Sequence, residues 1–286
     1  MANIRLIRHR IRSIQSIAKI TRAMEMIATS KMRRAQERGL AGRPYSDKIR
    51  QVIADLAALP QAEGALHPLL QRRPVTKLAV VHITSDRGLC GGLNANMNRR
   101  TASFILEQKA AANLICVGRK GMDFMSQHRL NVQAKFSGLG DQPGFLDTLP
   151  ISRIIIDDFT NGVIDAAYLA YTQFVSTMTQ KPIVIPILPV EPAQIPKAQN
   201  VDYIYEPSPE MVLDGLVPRF VEMQIYHAIL EAIASEQSAR MVAMRNATDN
   251  GKELIDELTL MYNKARQESI TKELLDIVGG VAALTG

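Results

Sequence analysis

Residues 4–32 read IRLIRHRIRSIQSIAKITRAMEMIATSKM, and this stretch decides the fold. Ile4, Ile7, Ile11 and Ile14 recur at alternating spacings of three and four, and the apolar stripe continues through Ile17, Ile20, Met24, Ile27 and Met32. That period is helical, with one apolar face. From Ile14 to Ile17 the step is three where four is due, so a broken heptad and a distorted supercoil are expected. Gly39, Gly42 and Pro44 follow. Proline removes a helical donor and clashes with the preceding turn, so a kink or break is expected there before the helix resumes to residue 59.

The other end of the chain repeats the pattern. Phe220, Met223, His227, Leu230, Ala234, Gln237, Met241, Met244, Thr248, Gly251, Leu254, Leu258, Met261 and Ala265 sit at seam spacing, with Ile270, Leu274, Ile277 and Val281 beyond. As one helix, 211–284 would span roughly 110 Å. The two ends carry opposite charge. Residues 1–59 hold 13 Lys/Arg against Glu25, Glu37, Asp47 and Asp55, while the last 76 hold 7 against 11 Asp/Glu. Two such helices bury their seams by pairing, and since the chain must return between them the pair is antiparallel, with Ile7, Ile11 and Ile14 facing 242–284. Gly251 lies mid-helix, where glycine costs about 1 kcal/mol relative to alanine, and reads as a close approach of the two helices.

Between residues 75 and 206 short apolar runs alternate with helical stretches. Strands are expected at 77–83 and 114–117, helices from 94 to about 111, from 120 and over 151–160, and β-like runs at 166–175 and 182–190. This is an α/β pattern with a mainly parallel sheet. Pro182, Pro186, Pro189, Pro192 and Pro196 make the last run an edge strand. The expected fold is therefore α/β: a long antiparallel coiled coil of N- and C-terminal helices (1–59 and 209–286) plus a central Rossmann-like α/β domain (75–206).

The loop 85–94, SDRGLCGGLN, follows a strand and precedes a helix, where a phosphate cradle would lie. It lacks the Lys-Ser/Thr pair of a P-loop and the spacing of a dinucleotide site, and a tight turn that needs glycine explains it better. His9, His67, His82, His128 and His227 are scattered, Asp157 and Asp158 read as a solvated face, and Cys90 and Cys116 are isolated, so neither catalysis nor a metal site is indicated. The core must be aliphatic, because Trp is absent and Phe plus Tyr number 14. No apolar run approaches the ~20 residues of a spanning helix. The acid-free, Arg-rich residues 1–24 have the profile of a transit peptide, but the apolar face runs on past Glu25, which a cleavable segment has no reason to do. Residues 1–44 lack aromatic residues for stacking on single strands. A helix tracking duplex phosphates is left open, yet it leaves the acidic partner helix unexplained. A membrane-surface role would compete for an apolar face that the other arm already occupies.

The stretch 12–28, the loop 85–94, residues 234–244 and residues 262–273 together resemble the gamma subunits of F-type rotary ATP synthases, over essentially the whole chain. Of the family's C-terminal signature, Ile270, Thr271, Glu273, Asp276 and Gly280 match, while Val281 stands where Ala is usual. The cysteine pair of the chloroplast members is missing, so the resemblance is to the bacterial type. It implies a non-catalytic central rotor stalk without cofactor, coupling transmembrane proton flow to ATP synthesis or hydrolysis. Its implied partners are the alpha and beta subunits of the hexamer, the epsilon subunit and the membrane c-ring. Its implied place is the cytoplasmic face of the cell membrane. It further implies beta-subunit contacts at Met24, Arg240, Arg266, Gln267 and Thr271, the Arg and Gln residues being exposed on a helix, and epsilon or ring contacts at Tyr203, Tyr205 and Glu206.

Overall fold

The computed structural model describes residues 4–57, 67–108, 110–191 and 206–285. Two helices dominate it: α1, Ile4–Ala57, and α5, Pro209–Thr285. The chain forms two units, Met1–Ala28 with Met241–Gly286, and Thr29–Arg240.

In the first unit α1 and α5 pair antiparallel. Thr21 and Thr248 share a hydrogen bond of 2.7 Å, Arg245 donates to Glu25 at 3.0 Å, and Arg8 donates to the Tyr262 hydroxyl at 3.1 Å. As the number rises on one helix it falls on the other, so a single register runs through all three contacts. The covered stripe of α1 runs through Ile4, Ile7, Ile11, Ile14, Ala18, Thr21, Glu25 and Ala28, with Met24 half-buried beside it. That of α5 runs through Met241, Met244, Thr248, Gly251, Ile255, Leu258, Tyr262, Ala265 and Ser269, with Val242, Ala243 and Ala247 half-buried beside it. Both sets keep an unbroken heptad.

This corrects the expected seam. Ile17, Ile20 and Ile27 are 53%, 58% and 55% exposed, and Leu254 and Met261 also face outward. The expected break at Ile14 came from following isoleucines onto the neighbouring face; the covered stripe steps four residues to Ala18 instead. Small and polar side chains fill it, and an apolar count passes over them. The Thr pair satisfies itself across the seam, and Glu25, buried at 4% exposure, also accepts from Arg22 at 2.9 Å.

The expected break at Gly39 to Pro44 is absent too: α1 runs through Pro44 without interruption. Proline deletes one donor, while Ile49, Ile53 and Leu56 beyond it are buried in the main core, and that packing holds the next turns helical. Residues 58 and 59, Pro192 and Pro196 lie outside the described residues.

The second unit is built on a five-stranded sheet, with β1 Lys77–Ile83, β2 Ala111–Val117, β3 Val132–Phe136, β4 Ala166–Phe174 and β5 Gln180–Leu188 in the order β3-β2-β1-β4-β5. All pairs are parallel except β4 with β5. As expected from its prolines, β5 is an edge. The short edge strand β3 escaped the sequence reading, since five alternating residues carry little signal. The helices between are α2 Leu93–Glu107, α3 Arg119–Gln127 and α4 Phe145–Thr160. Helix α4 starts six residues before the expected 151 because Pro150 lies inside it. Its start is fixed by Gly144 N–H, which donates to Asp147 at 2.7 Å.

Strand β1 is buried on both faces. Ala79, Val81 and Ile83 join a core with α4, α5 and the 29–57 part of α1, while Leu78 and Val80 join a second core with Met97 of α2 and Met125 of α3. On that second face His82 is fully buried. Its Nε2 donates to Asn98 Oδ1 at 2.8 Å, and its Nδ1 accepts from Thr101 at 3.0 Å. This neutral ring has its pKa pushed down to about 4 by burial, with the Asn98 bond opposing.

Two predictions follow from this packing. A Cβ on Gly251 would meet Ala18 Cβ at 3.5 Å and Ile14 Cγ2 at 3.9 Å, which is ordinary contact. Gly251→Ala should therefore stabilise the chain by about 0.5–1 kcal/mol, while Gly251→Leu overpacks the seam and should cost about 1–3 kcal/mol, both read from thermal melting. The second concerns acid. An unfolded His82 protonates near its ordinary 6.5, but the folded ring holds off until about 4. Stability from the neutral ring is full above pH 6.5 and drains as pH falls toward 4, by about 3 kcal/mol in all. Urea midpoints of parent and His82→Gln between those two pH values should converge as the medium is acidified.

Candidate functional site

In a parallel sheet of this order a ligand belongs outside the carboxyl ends of the strands, beside β1, where the strand order reverses. Here the chain fills that place itself. The Asp86 carboxylate accepts the N–H of Arg119, the first residue of α3, at 3.0 Å and that of Gly138, after β3, at 2.9 Å. It stands at a helix N-terminus, where a bound phosphate would otherwise draw the same donors. Gly118 makes the close turn beneath it, with φ of +94°, and a Cβ there would lie 2.1 Å from the Thr84 carbonyl.

The loop 85–94 is tied up internally. Asn94 donates to Ser85 Oγ at 2.7 Å and to Cys90 Sγ at 3.3 Å, while Ser85 Oγ lies against the Arg87 carbonyl at 2.6 Å. Leu89 and Gly91 take left-handed backbone, so the loop is a tight turn. From α5, Arg240 donates to Glu236 at 2.6 Å and to the Gly88 carbonyl at 3.2 Å. Burial pushes the Glu236 carboxyl up, and Arg240 pulls it back down. What remains is a cavity of about 50 Å³ between Thr84, Asp86, Phe136, Leu139 and Glu236. That admits a few waters, whereas small-molecule sites take roughly 300 Å³ or more. Both cysteines are buried, and burial pushes the Cys116 thiol up to about 11. Among the described residues no group of three or more His, Cys, Asp or Glu could hold a metal ion.

The site residues suggested by the sequence are not gathered into one cluster. Arg240 is no free surface cation: its side chain is 11% exposed, held by Glu236 and the loop. Arg266 and Gln267 are exposed on α5, and Thr271, one turn on, donates to the Gln267 carbonyl at 2.9 Å. Met24 is half-buried on α1, one residue before Glu25, and Glu206 is exposed ahead of α5. Tyr203 and Tyr205 lie outside the described residues. Asp86 was missed as the crevice's occupant, although an acid opening a glycine-rich turn, where a phosphate loop would carry no charge of its own sign, was a legible signal. Beyond Ser269, residues 270–281 of α5 are all exposed, Ile270, Leu274, Leu275, Ile277, Val278 and Val281 among them.

This combination of a long paired-helix unit with a closed α/β unit has close relatives. The profile of a family described as ATP synthase matches residues 3–284. The ATP synthase gamma chain of Dehalococcoides mccartyi (strain ATCC BAA-2266 / KCTC 15142 / 195) is 68% identical over 284 residues, covering 99% of this chain and 100% of the relative. The chain belongs to the ATP synthase gamma-chain family. The gamma chain of Roseiflexus castenholzii is 51% identical over 290 residues, covering 99% of both chains. Among solved structures, a rotor chain of the Euglena gracilis mitochondrial ATP synthase shares the fold at a TM-score of 0.65 and 19% identity, covering 93% of this chain and 98% of its own. A central-stalk chain from Tetrahymena thermophila does so at 0.62 and 23%, covering 80% and 99%. The gamma chain is a non-catalytic central-stalk subunit that works within an ATP synthase complex. No described helix is long and apolar enough to cross a membrane.

With Asp86 on the backbone donors and α5 over the crevice, the purified chain should bind no nucleotide at micromolar concentration. Calorimetric titration with ATP checks this, and saturable heat would contradict the closed crevice.

Proposed function

We propose that this gamma chain turns inside the hexamer of alpha and beta subunits, its segments 1–59 and 209–286 forming the shaft. The domain 75–206 is the foot, against the epsilon subunit and the membrane c-ring, on the cytoplasmic face of the cell membrane. Proton flow through the ring rotates it, and its asymmetric surface drives the beta subunits through different affinities. The observation that carries this reading is the exposed apolar face at the end of α5. The covered stripe of α5 runs to Ser269, and in the turns that follow Ile270, Leu274, Leu275, Ile277 and Val278 are exposed among the described residues. A helix end with an exposed apolar face of this kind calls for a covering protein surface. Val281, where the resemblance implies tight enclosure, is exposed in this structure.

Met24, Arg266, Gln267 and Thr271 are the proposed beta contacts that remain available on the paired-helix unit, with Arg240 contributing from the crevice edge. Tyr203, Tyr205 and Glu206 are proposed to meet epsilon and the ring.

Replacing Arg266 and Gln267 together by Ala should leave the helix intact, because exposed positions tolerate alanine. In the reconstituted complex the same variant should lower ATP synthesis, since lost contacts bias one rotor angle over another. Normal synthesis would make the two residues plain solvated surface. Arg240→Ala behaves differently: it strands the buried Glu236 and should destabilise the chain by about 1–3 kcal/mol, visible as a lower melting temperature.

A further inference from the structure

Within the unit Thr29–Arg240, one carboxylate touches both long helices. Asp141, on the loop after β3, accepts from Lys31 of α1 at 2.6 Å through Oδ2 and from Gln237 of α5 at 3.0 Å through Oδ1. Its neighbour Gln142 accepts from Arg38 of α1 at 2.7 Å. Elsewhere α5 is tied to the sheet domain by Ser235 to the Thr172 carbonyl and Ser238 to the Thr177 carbonyl. Glu231 of α5 also accepts from the Phe174 N–H at 3.2 Å and Arg240 donates to the Gly88 carbonyl at 3.2 Å, and much of the remaining contact is apolar core.

These two kinds of contact answer differently to a twist. Apolar packing is non-directional and fixes no single donor–acceptor geometry. A short charge-assisted hydrogen bond fixes a distance and a direction. We propose that Asp141 is a positioning residue that clamps α1 and α5 to the α/β domain, so that torque delivered to that domain reaches both helices together. This rests on the central-stalk reading. Lys31 and Asp141 are each about a third or more exposed, so the pair adds little to folding stability. The hydrogen bonds of Asp141 to both long helices from one loop of the sheet domain are therefore better explained by mechanical registration. Gln237 is suited to the position because its amide can donate to a carboxylate or, turned over, accept from an ammonium.

The test uses the ATP synthase complex assembled with this chain and reconstituted into vesicles, reading ATP hydrolysis and the ion gradient it builds. Asp141→Ala and Lys31→Ala should keep hydrolysis within about twofold of the parent while the gradient per ATP falls about threefold or more, and the exchange Lys31→Asp with Asp141→Lys should restore it. A parental gradient in the single variants would overturn the clamp, as would an exchange that restores nothing. Single variants that fail to assemble while the exchange assembles normally but pumps no better would assign the pair to folding and overturn it as well. Failure of the stalk reading itself would show separately, as a parent chain that neither assembles nor couples.

Discussion

The register of the antiparallel pair is the constraint on which the rest depends, and a polar layer sets it. A seam of Ile against Met could slide by a heptad at modest cost, since apolar surfaces accept many partners. The layer of Thr21 against Thr248 and Glu25 against Arg245 resists sliding, because each shift would break the cross-helix bonds of a buried hydroxyl pair and a buried carboxylate. Fixing those contacts fixes Gly251 opposite Ala18 and Arg8 opposite Tyr262, which leaves the turns after Ser269 exposed. The bare end of α5 is thus a consequence of the layer.

The α/β unit shows how a fold built for ligands is put to another use. Its parallel strands converge on the usual crevice, and each element that would hold a phosphate is present in outline: a turn after β1, a helix N-terminus at Arg119, backbone N–H groups at Gly138. One acidic side chain satisfies those donors from within, and a glutamate and arginine from α5 close the opening. The unit thereby becomes a rigid body attached to two helices, which suits a part that transmits motion.

The sequence announced the helices, their pairing and the edge strand, because heptad spacing, opposite charge and prolines are local signals. It placed Ile4, Ile7, Ile11 and Ile14 on the pairing face and misdirected only beyond Ile14. Isoleucine at 17, 20 and 27 makes a stronger apolar pattern than Ala18, Thr21 and Ala28, and only the positions of the partner's side chains distinguish a seam from an outward stripe. Pro44 misled for a related reason: a local penalty of one lost donor was outweighed by the distant burial of Ile49 and Ile53. The suggested contact residues separated by environment, Arg240 held inside and Arg266 left out, and helical spacing alone treats both as surface. Asp141 was invisible as a partner because its neighbours come from helices far away in sequence.

The distribution of side chains along the paired helices is itself an energetic statement. Fully burying a large aliphatic side chain is worth about 1.5–3 kcal/mol, yet the seam is filled from Ala18 to Ala28 by groups that gain less, while Ile17, Ile20 and Ile27 stay in water. Small seam residues let the helices come close, which stiffens the pair. Large residues outside leave apolar area unspent, and on α5 the last turns add Leu274, Leu275, Ile277 and Val278 to it. A chain stabilised only for itself would have the two sets exchanged. The arrangement reaches its lower free energy when another protein surface surrounds the helices. Because apolar contact is non-directional, that surface can hold the shaft at more than one angle without a single angle being locked. A rotor needs both properties in the same element: directional bonds within, which keep the two helices in step, and non-directional contact without, which lets them turn.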